Sequence, residues 1–303
     1  MKALGNRSST AALLGFVVVV TAAIAVVPVG DAAAGEQVEK SFLWRAVRGD
    51  RSIYLLGSIH FMKSDAYPLS PAIEHAYDAA GLVVFETDIE GLTRAATSLM
   101  AAGTLDGGAT LEDVISEELY EDVKRRLESL GMNIDTFART RPWMVALSMT
   151  SMELARAGYL GSEGIDAHFS ARAERDGKTR MGLETIEYQV SLFAGLSAEE
   201  GEEFLRYTLG DLDSVIPLVD DLVGAWKRGD SDRLEELLVE GFDEYGEVFE
   251  RFVVRRNHRW MGTVEELFGG DSDAMVVVGA LHLVGEQGLI ELLRAKGYEI
   301  EQL

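Results

Sequence analysis

The chain has 303 residues, and its 51 Asp and Glu against 28 Lys and Arg give a formal net charge of −23 at pH 7. This acidic balance argues against a nucleic-acid partner and against an anionic membrane surface, because both bind clustered Lys and Arg. The absence of cysteine excludes a disulfide framework, a thiol nucleophile and an iron–sulfur cluster, so any metal must be bound by His and carboxylates.

The first 34 residues have the pattern of an export signal. A basic start is followed by an uncharged run over residues 11–27, then by helix breakers and by three alanines at 32–34. Small residues at this point are typical of a signal-peptidase site. We therefore predict a signal peptide over residues 1–34. An uncleaved anchor is the alternative, because the run approaches the ~20 residues that span a bilayer. Both place residues 35–303 outside the cytoplasm, in the periplasm or outside the cell.

The mature chain is predicted to begin with a hairpin and a βαβ unit. Apolar segments over residues 41–46 and 52–56, separated by a turn, predict two antiparallel strands. A Gly-x-x-His sequence follows and ends at His60. A serine cap and a proline at the first helical position predict a helix over 71–80. A short apolar strand then ends at Glu86.

The C-terminus repeats this plan. Residues 274–278 are apolar and β-branched, and a second Gly-x-x-His sequence ends at His282. Residues 288–296 have helical spacing, and 298–302 form a last predicted strand. The sequence therefore predicts an α/β fold, whose central mixed sheet is built from two strand–GxxH–helix–strand units. The shared spacing suggests an internal duplication.

A large helical insertion is predicted between the two units, over about residues 90–272. Only residues 178–183 in it have the pattern of a strand, and no linker separates the insertion from its flanks, so we predict one domain over 35–303. The insertion either packs on the sheet or caps it. Helical spacing is found over residues 111–130, 143–158, 164–176, 186–193, 198–228 (one helix or two), 231–238 and 243–260.

Three polar side chains are predicted to meet at one edge of the sheet. His60, His282 and Glu86 each follow the carboxyl end of an apolar strand, where ligands bind in α/β sheets. Gly57 and Gly279 precede the histidines by three residues and would allow a ligand to approach the backbone. Two imidazoles and a carboxylate are a normal set of ligands for a catalytic divalent metal with an open position for water. We expect Zn²⁺, Mn²⁺ or Co²⁺.

Each of these residues also has a purely structural interpretation. A histidine at a strand end is commonly a hydrogen-bonding residue, and Glu86 is equally able to pair with Arg255 or Arg256. Glu184 ends the inserted strand and resembles Glu86 in its placement. Arg256 and Asn257 either belong to a solvated helix face or reach the site and hold a substrate oxygen. The remaining histidines have weaker contexts: His75, His168 and His258.

Several short segments, taken together in order and spacing, resemble the TraB/GumN family, which includes the animal Tiki proteins. They span residues 42–303, almost the whole mature chain. The segments are Phe42-Leu43-Trp44, residues 54–60, residues 84–88, residues 164–169, residues 182–185 ahead of Gln189, Arg256-Asn257 and residues 278–283.

The resemblance implies a metal-dependent activity, because Tiki members are regarded as metal-dependent proteases. The fold is related to erythromycin-esterase-like and haem-binding ChaN-like proteins. By position, the family's two Gly-x-x-His histidines are His60 and His282, and its strand-end acid is Glu86. Glu184 and the Arg256-Asn257 pair match further family positions.

The leading hypothesis is an exported, metal-dependent hydrolase that acts on a peptide or protein. His60, Glu86 and His282 would bind the metal, and Glu184, or Glu86 if it is not a ligand, would be the general base. Arg256 and Asn257 would stabilise the oxyanion. Two alternatives use the same histidines: a haem- or metal-binding protein without turnover, and a metal-free esterase-like hydrolase with His60 as general base.

Overall fold

The computed structural model of the protein describes residues 40–87, 92–239 and 246–303. The predicted signal segment lies outside these ranges, as do Asp88 and the first residues of the predicted helix at 243–260. Within the ranges, no helix is both long and apolar enough to span a bilayer.

The described residues contain a mixed sheet of six strands in the order β4-β3-β5-β2-β1-β6. The strands β4, β3, β5 and β2 are parallel, whereas β1 is antiparallel to both β2 and β6. The α/β fold and its mixed sheet are therefore confirmed. The strands are β1 Leu43–Arg48, β2 Arg51–Ser58, β3 Leu82–Thr87, β4 Thr179–Glu184, β5 Ala274–Gly279 and β6 Glu299–Gln302.

The predicted hairpin forms through a two-residue turn. Arg48 pairs with Arg51, and Gly49 between them has a φ of 59°, which glycine adopts without a steric penalty. The register pairs Leu43 with Leu56. The inner strand of the hairpin continues into the core as β2, so that the first Gly-x-x-His sequence begins at the buried end of the hairpin.

The strand β5 lies in the middle of the sheet, although it is far along the chain from its neighbours. Every residue of Ala274–Gly279 is buried, and Val277 pairs with Leu56 on one side and Phe85 on the other. A continuous apolar strand needs partners on both edges and cover on both faces. Because the four strands are parallel, their carboxyl ends lie along one edge of the sheet.

Most helices follow the predicted pattern. The predicted helix over 111–130 is divided at Ile115-Ser116, and the one predicted over 243–260 contains a π-helical turn and continues to Leu267. A helix over Leu92–Ala102 was not predicted. The stretch over 198–228, predicted as one helix or two, is two helices joined by a 3-10 turn, with Pro217 in the first turn of the second, where it is tolerated. The helices are α1 Pro71–Ala79, α2 Leu92–Ala102, α3 Leu111–Val114, α4 Glu117–Ser129, α5 Pro142–Arg156, α6 Ile165–Arg175, α7 Ile186–Ala194, α8 Ala198–Asp211, α9 Val215–Lys227, α10 Ser231–Leu238, α11 Gly246–Phe249, α12 Arg255–Leu267 and α13 Leu289–Ala295.

The helical insertion packs directly on the sheet. One hydrophobic core joins sheet residues such as Val276 to insertion residues such as Leu222 and Trp260. Trp226 on α9 donates a hydrogen bond from Nε1 to the carbonyl of Gly57, at 2.6 Å. A second, smaller core lies within the insertion itself. The insertion therefore helps to hold the strand end that carries the first Gly-x-x-His sequence.

A Gly57→Ala substitution should destabilise the protein by about 1–3 kcal/mol through overpacking. A Cβ at this position overlaps the fully buried ring of Phe42. The matched control is Gly262→Ala on α12, where nothing lies near the added methyl group and the better helix former should not destabilise. Urea unfolding measures both. Equal stability of the two variants would contradict the packing assignment for Gly57.

Candidate functional site

The carboxyl ends of the four parallel strands bring together a group of buried polar side chains. His60 is 4% exposed, Glu86 7% and Glu184 9%, while His282 and Arg256 are fully buried. Charged residues are almost never this buried unless they are paired. The group therefore has to satisfy its own charges and hydrogen bonds.

All five N–H donors of the Arg256 guanidinium have acceptors, four of them in this group and one at a backbone carbonyl. Nε donates to Glu184 at 3.0 Å, and Nη2 donates to Glu86 at 2.5 Å and to Glu184 at 2.7 Å. Nη1 lies 3.0 Å from both the carbonyl of Phe252 and Nε2 of His282. One cation thus joins two carboxylates and one imidazole, each from a different strand end.

A π-helical turn over Glu250–Val254 precedes α12 and contributes to this placement. Arg256, Asn257 and Trp260 all lie on the buried face of the helix that follows. The guanidinium carbon lies 4.6 Å from the Trp260 ring centroid, and the indole Nε1 donates to Glu184 at 3.0 Å. A π turn changes the helical register, and such turns are frequent at functional sites.

The two carboxylates that share Arg256 have different environments. Glu86 accepts hydrogen bonds from the backbone N–H of Gly279 at 2.7 Å and from Gln189 at 2.9 Å. Burial alone would raise the pKa of Glu86, but Arg256 and the neighbouring groups lower it below its ordinary value. Burial raises the pKa of Glu184 despite the opposing effect of Arg256. Environments that separate two pKa values in this way are typical of acid–base pairs.

The hydrogen bonds of His282 determine its tautomer. Nε2 faces Arg256, which can only donate, so Nε2 is the acceptor. Nδ1 therefore carries the proton and donates to Oδ1 of Asn257 at 2.7 Å. The amide of Asn257 donates in turn to the carbonyls of Gln287 at 2.8 Å and His282 at 3.3 Å. Burial and Arg256 lower the pKa of His282 to about 3, so the ring is neutral.

His60 is held differently. Its Nδ1 lies 2.9 Å from Oδ1 of Asp166, but these atoms do not meet hydrogen-bond geometry, and neither ring nitrogen has a hydrogen-bond partner in the described part of the chain. Burial opposes the charged ring, yet the carboxylates of Asp166 and Glu86 raise the pKa of His60 above its ordinary value. The two Gly-x-x-His histidines therefore differ in their readiness to take a proton.

The glycines of the two Gly-x-x-His motifs, Gly57 and Gly279, each make a structural contact in this site. The ring of Phe42 occupies the space that a Cβ on Gly57 would fill. The backbone N–H of Gly279 donates to Glu86. Contact of either glycine with a cofactor stays a prediction.

The other sequence-predicted residues lie apart or are fully bonded. His75 and His258 are exposed, and His168 on α6 is partly buried, with its ring 4.6 Å from that of Tyr67. The N–H groups of Arg256 and Asn257 donate to acceptors of the protein itself. For either residue to stabilise an oxyanion, as predicted, one of these hydrogen bonds has to break first.

Sequence reasoning did not assign a role to three residues of the site. Asp166 and Gln189 stood within or beside segments that carried the family resemblance, whereas Trp260 had no signal beyond its helical spacing from Arg256. A carboxylate two residues after a glycine at a helix start was the available signal for Asp166. Its partner is in a distant loop, so no local pattern identifies the pair.

The donor chemistry of the site fits a divalent cation, although no ready metal-binding group of three His, Asp or Glu is assembled among the described residues. Nε2 of His60 has no hydrogen-bond partner among the residues that the structure describes, and Nε2 of His282 lies 3.9 Å from Oε1 of Glu86. Nδ1 of His282 donates to an acceptor oxygen, as metal-bound histidines do, and Nδ1 of His60 lies 2.9 Å from a carboxylate oxygen. Nε2 of His282 has one lone pair, so binding a cation there requires Arg256 to release it.

A family model and several known proteins are similar to this chain. A sequence model described as the TraB/PrgY/gumN family matches residues 42–302. The Uncharacterized protein YbaP of Escherichia coli (strain K12) is 24% identical over 257 residues, which are 84% of this chain and 93% of that protein. Metalloprotease TIKI2 of Danio rerio is 24% identical over 318 residues, 86% of this chain and 60% of that protein. For Metalloprotease TIKI1 of Homo sapiens the values are 24%, 86% and 61%. No solved structure matches the chain significantly.

An Arg256→Leu substitution should destabilise the protein by about 3–5 kcal/mol, because it leaves two buried carboxylates without their counter-charge. Arg255→Leu is the matched control, because Arg255 is half-exposed and pairs with Glu247 and Glu250 on the surface. Its substitution should cost less than about 1 kcal/mol. Urea unfolding at pH 7 separates the two. Similar losses in both variants would show that Arg256 does not hold the group together.

His168 should make the protein less stable in acid. Burial, with Arg172 and Arg175, lowers the pKa of His168 to about 4, whereas the unfolded ring has its ordinary value near 6.5. The unfolded state therefore binds more protons between these values, and stability falls as the pH decreases from about 6.5 to 4, by about 2–3 kcal/mol. Urea unfolding across this range should show a smaller decrease for His168→Gln. The exposed His75→Gln should retain the wild-type dependence.

Proposed function

The chain belongs to the TraB/PrgY/gumN family, and on this premise we propose that it is an exported, metal-dependent hydrolase that cleaves a peptide or protein. Relatives named metalloproteases align with 86% of this chain. The chain spans about 60% of the length of those relatives. The activity of the relatives is therefore a proposal for this protein. Export rests on the pattern of residues 1–34.

One observation carries the proposal: His60 is buried, yet both of its ring nitrogens lack a hydrogen-bond partner within residues 40–87, 92–239 and 246–303. Buried polar atoms are nearly always hydrogen-bonded, and exceptions require an explanation such as a bound ion or a catalytic role. His60 also follows the carboxyl end of the parallel strand β2, and the carboxylate of Glu86 is among the charges that act on it. A histidine in this state is suited to hold a ligand or to take a proton from water.

The metal would be held by His60, Glu86 and His282, and we expect Zn²⁺, Mn²⁺ or Co²⁺. When bound, such a cation supplies an acidified water and a polarised carbonyl. Asn257 orients the ring of His282, and Arg256 keeps Glu86 ionised. Release of His282 Nε2 frees one N–H of Arg256, which becomes the donor for the developing oxyanion. Glu184, with its raised pKa, is the proposed general base and returns the proton to the leaving amine.

A metal-free mechanism is the second candidate, and one observation favours it. Arg256 occupies Nε2 of His282 in the structure, which removes one of the three proposed ligands. In this mechanism His60 acts alone as the general base on water, helped by the neighbouring Asp166 carboxylate. Arg256 then keeps its present contacts and serves only to neutralise Glu86 and Glu184.

The test combines metal analysis with hydrolysis of a fluorogenic, unstructured protein. The wild type should contain near-stoichiometric metal, lose activity on exhaustive chelation and regain it with Zn²⁺, Mn²⁺ or Co²⁺. His60→Ala should lose both metal and activity, the latter by about 100-fold or more. The control His75→Ala, at an exposed helix position, should retain both.

Two outcomes contradict parts of the proposal. Activity that survives chelation but is lost in His60→Ala excludes the metal and supports the metal-free mechanism. A metal-replete, active His60→Ala protein refutes the assignment of His60 in either mechanism.

A further inference from the structure

The carboxylate of Asp166, on the first turn of α6, lies against the ring of His60. We propose that Asp166 is a positioning residue, which keeps the His60 proton on Nδ1 so that Nε2 presents its lone pair to the site. The inference deepens the hydrolase function proposed above and rests on it. Asp166 itself does not contact the reacting atoms in this proposal.

The charge of Asp166 and its distance from His60 favour one tautomer. Oδ1 of Asp166 lies 2.9 Å from Nδ1 of His60, although not along the direction of a ring N–H. An ionised carboxylate can only accept a hydrogen bond, and its negative charge repels a lone pair on Nδ1 and attracts a proton there. A ring with its proton on Nδ1 avoids this repulsion. The neutral ring then has its single free lone pair on Nε2, whichever mechanism applies.

Backbone contacts before and after His60 hold its loop against the start of α6, which carries Asp166. The N–H of Ile165 donates to the carbonyl of Ile59 at 3.1 Å, and Met62 and Leu160 exchange two backbone hydrogen bonds of 3.2 and 2.9 Å. Gly164 lies so close to the His60 backbone that a Cβ would overlap the His60 carbonyl. The first Gly-x-x-His loop and the start of α6 are therefore held together as one unit.

The second Gly-x-x-His histidine also has a side-chain oxygen beside Nδ1, and there the hydrogen bond is formed. Nδ1 of His282 donates to an amide oxygen of Asn257 at 2.7 Å. In both rings Nδ1 is thus the nitrogen that lies beside a side-chain oxygen, while Nε2 of His282 faces Arg256. Asp166 and Asn257 come from α6 and α12, two different helices of the insertion. The repetition indicates that orientation of the ring is the shared purpose of these two residues.

A purely structural role for Asp166 is the alternative to be tested. An acidic residue in the first turn of a helix stabilises it through the helix dipole. Asp232 offers a matched control, because it is the second residue of α10 as Asp166 is the second residue of α6, and it is exposed. If the helix dipole were the only role, the two positions would respond alike to substitution.

The experiment reads the tautomer of His60 directly, by long-range ¹⁵N–¹H NMR of the full chain up to pH 9. The chain has five histidines, and the spectrum of His60→Gln identifies the signals of His60. In the wild type and in Asp232→Ala, the neutral ring should carry its proton on Nδ1. In Asp166→Ala, a large fraction of the neutral His60 rings should carry the proton on Nε2, the nitrogen that is preferred in free histidine.

A conservative variant and a fold control complete the design. Asp166→Asn should keep the proton on Nδ1, since Asn257 shows that an amide oxygen serves this purpose. Asp166→Leu preserves most of the side-chain volume without an acceptor and replaces the alanine variant if that one does not fold. An unchanged Nδ1 proton in a folded Asp166→Ala or Asp166→Leu protein would overturn the proposal.

The tautomer is read without substrate and without metal, so its result is independent of whether the protein is a hydrolase. A shifted tautomer in Asp166→Ala, together with a wild type that fails the hydrolysis test above, would support the role of Asp166 and refute the proposed function. Where hydrolysis is established, Asp166→Ala should lower kcat by about 10–100-fold with little change in KM. Asp166→Asn should recover part of the loss, and Asp232→Ala should retain full activity.

Discussion

The burial of one guanidinium, that of Arg256, is the constraint on which the site depends. Two carboxylates taken out of water at neighbouring strand ends repel each other and lose their hydration, and only a cation with several fixed donors offsets this. Because the guanidinium is planar, it also sets the relative positions of Glu86, Glu184 and His282. A lysine has the same charge but lacks the planar, widely spaced N–H donors of a guanidinium, so it could not join three strand ends at once.

The helical insertion is part of the site and not only a cover. The sheet supplies His60, Glu86 and His282 with their strand ends, whereas the insertion supplies Asp166, on α6, and Arg256. Asp166 acts on the position of the proton on His60, and Arg256 acts through its charge on Glu86 and His282. Strand ends provide the reactive groups in the same place in many α/β proteins, and the residues packed against them set the chemistry.

The two Gly-x-x-His histidines illustrate how similar sequence contexts acquire different properties. Nδ1 of both rings lies close to a side-chain oxygen, but that oxygen belongs to a carboxylate in Asp166 and to an amide in Asn257. The ring beside Asp166 favours a proton, whereas the ring beside Asn257 lies under Arg256 and stays neutral. Two histidines that differ in this way give one site both a ring that readily takes a proton and a ring that stays neutral. This division is common to both mechanisms considered for the protein.

The sequence by itself determined the hairpin, the two βαβ units and the meeting of His60, Glu86 and His282 at one edge of the sheet. Periodicity, turn residues and the parallel direction of strands are local properties or follow from them. Only the tertiary structure decided that Arg256 is fully buried between Glu86 and Glu184, and that Asp166 lies on His60. Those contacts join residues about 70 to 170 positions apart through the packing of a helical insertion. Local sequence carries no signal for such distant pairs, because long-range packing and charge compensation are settled only when the whole core forms.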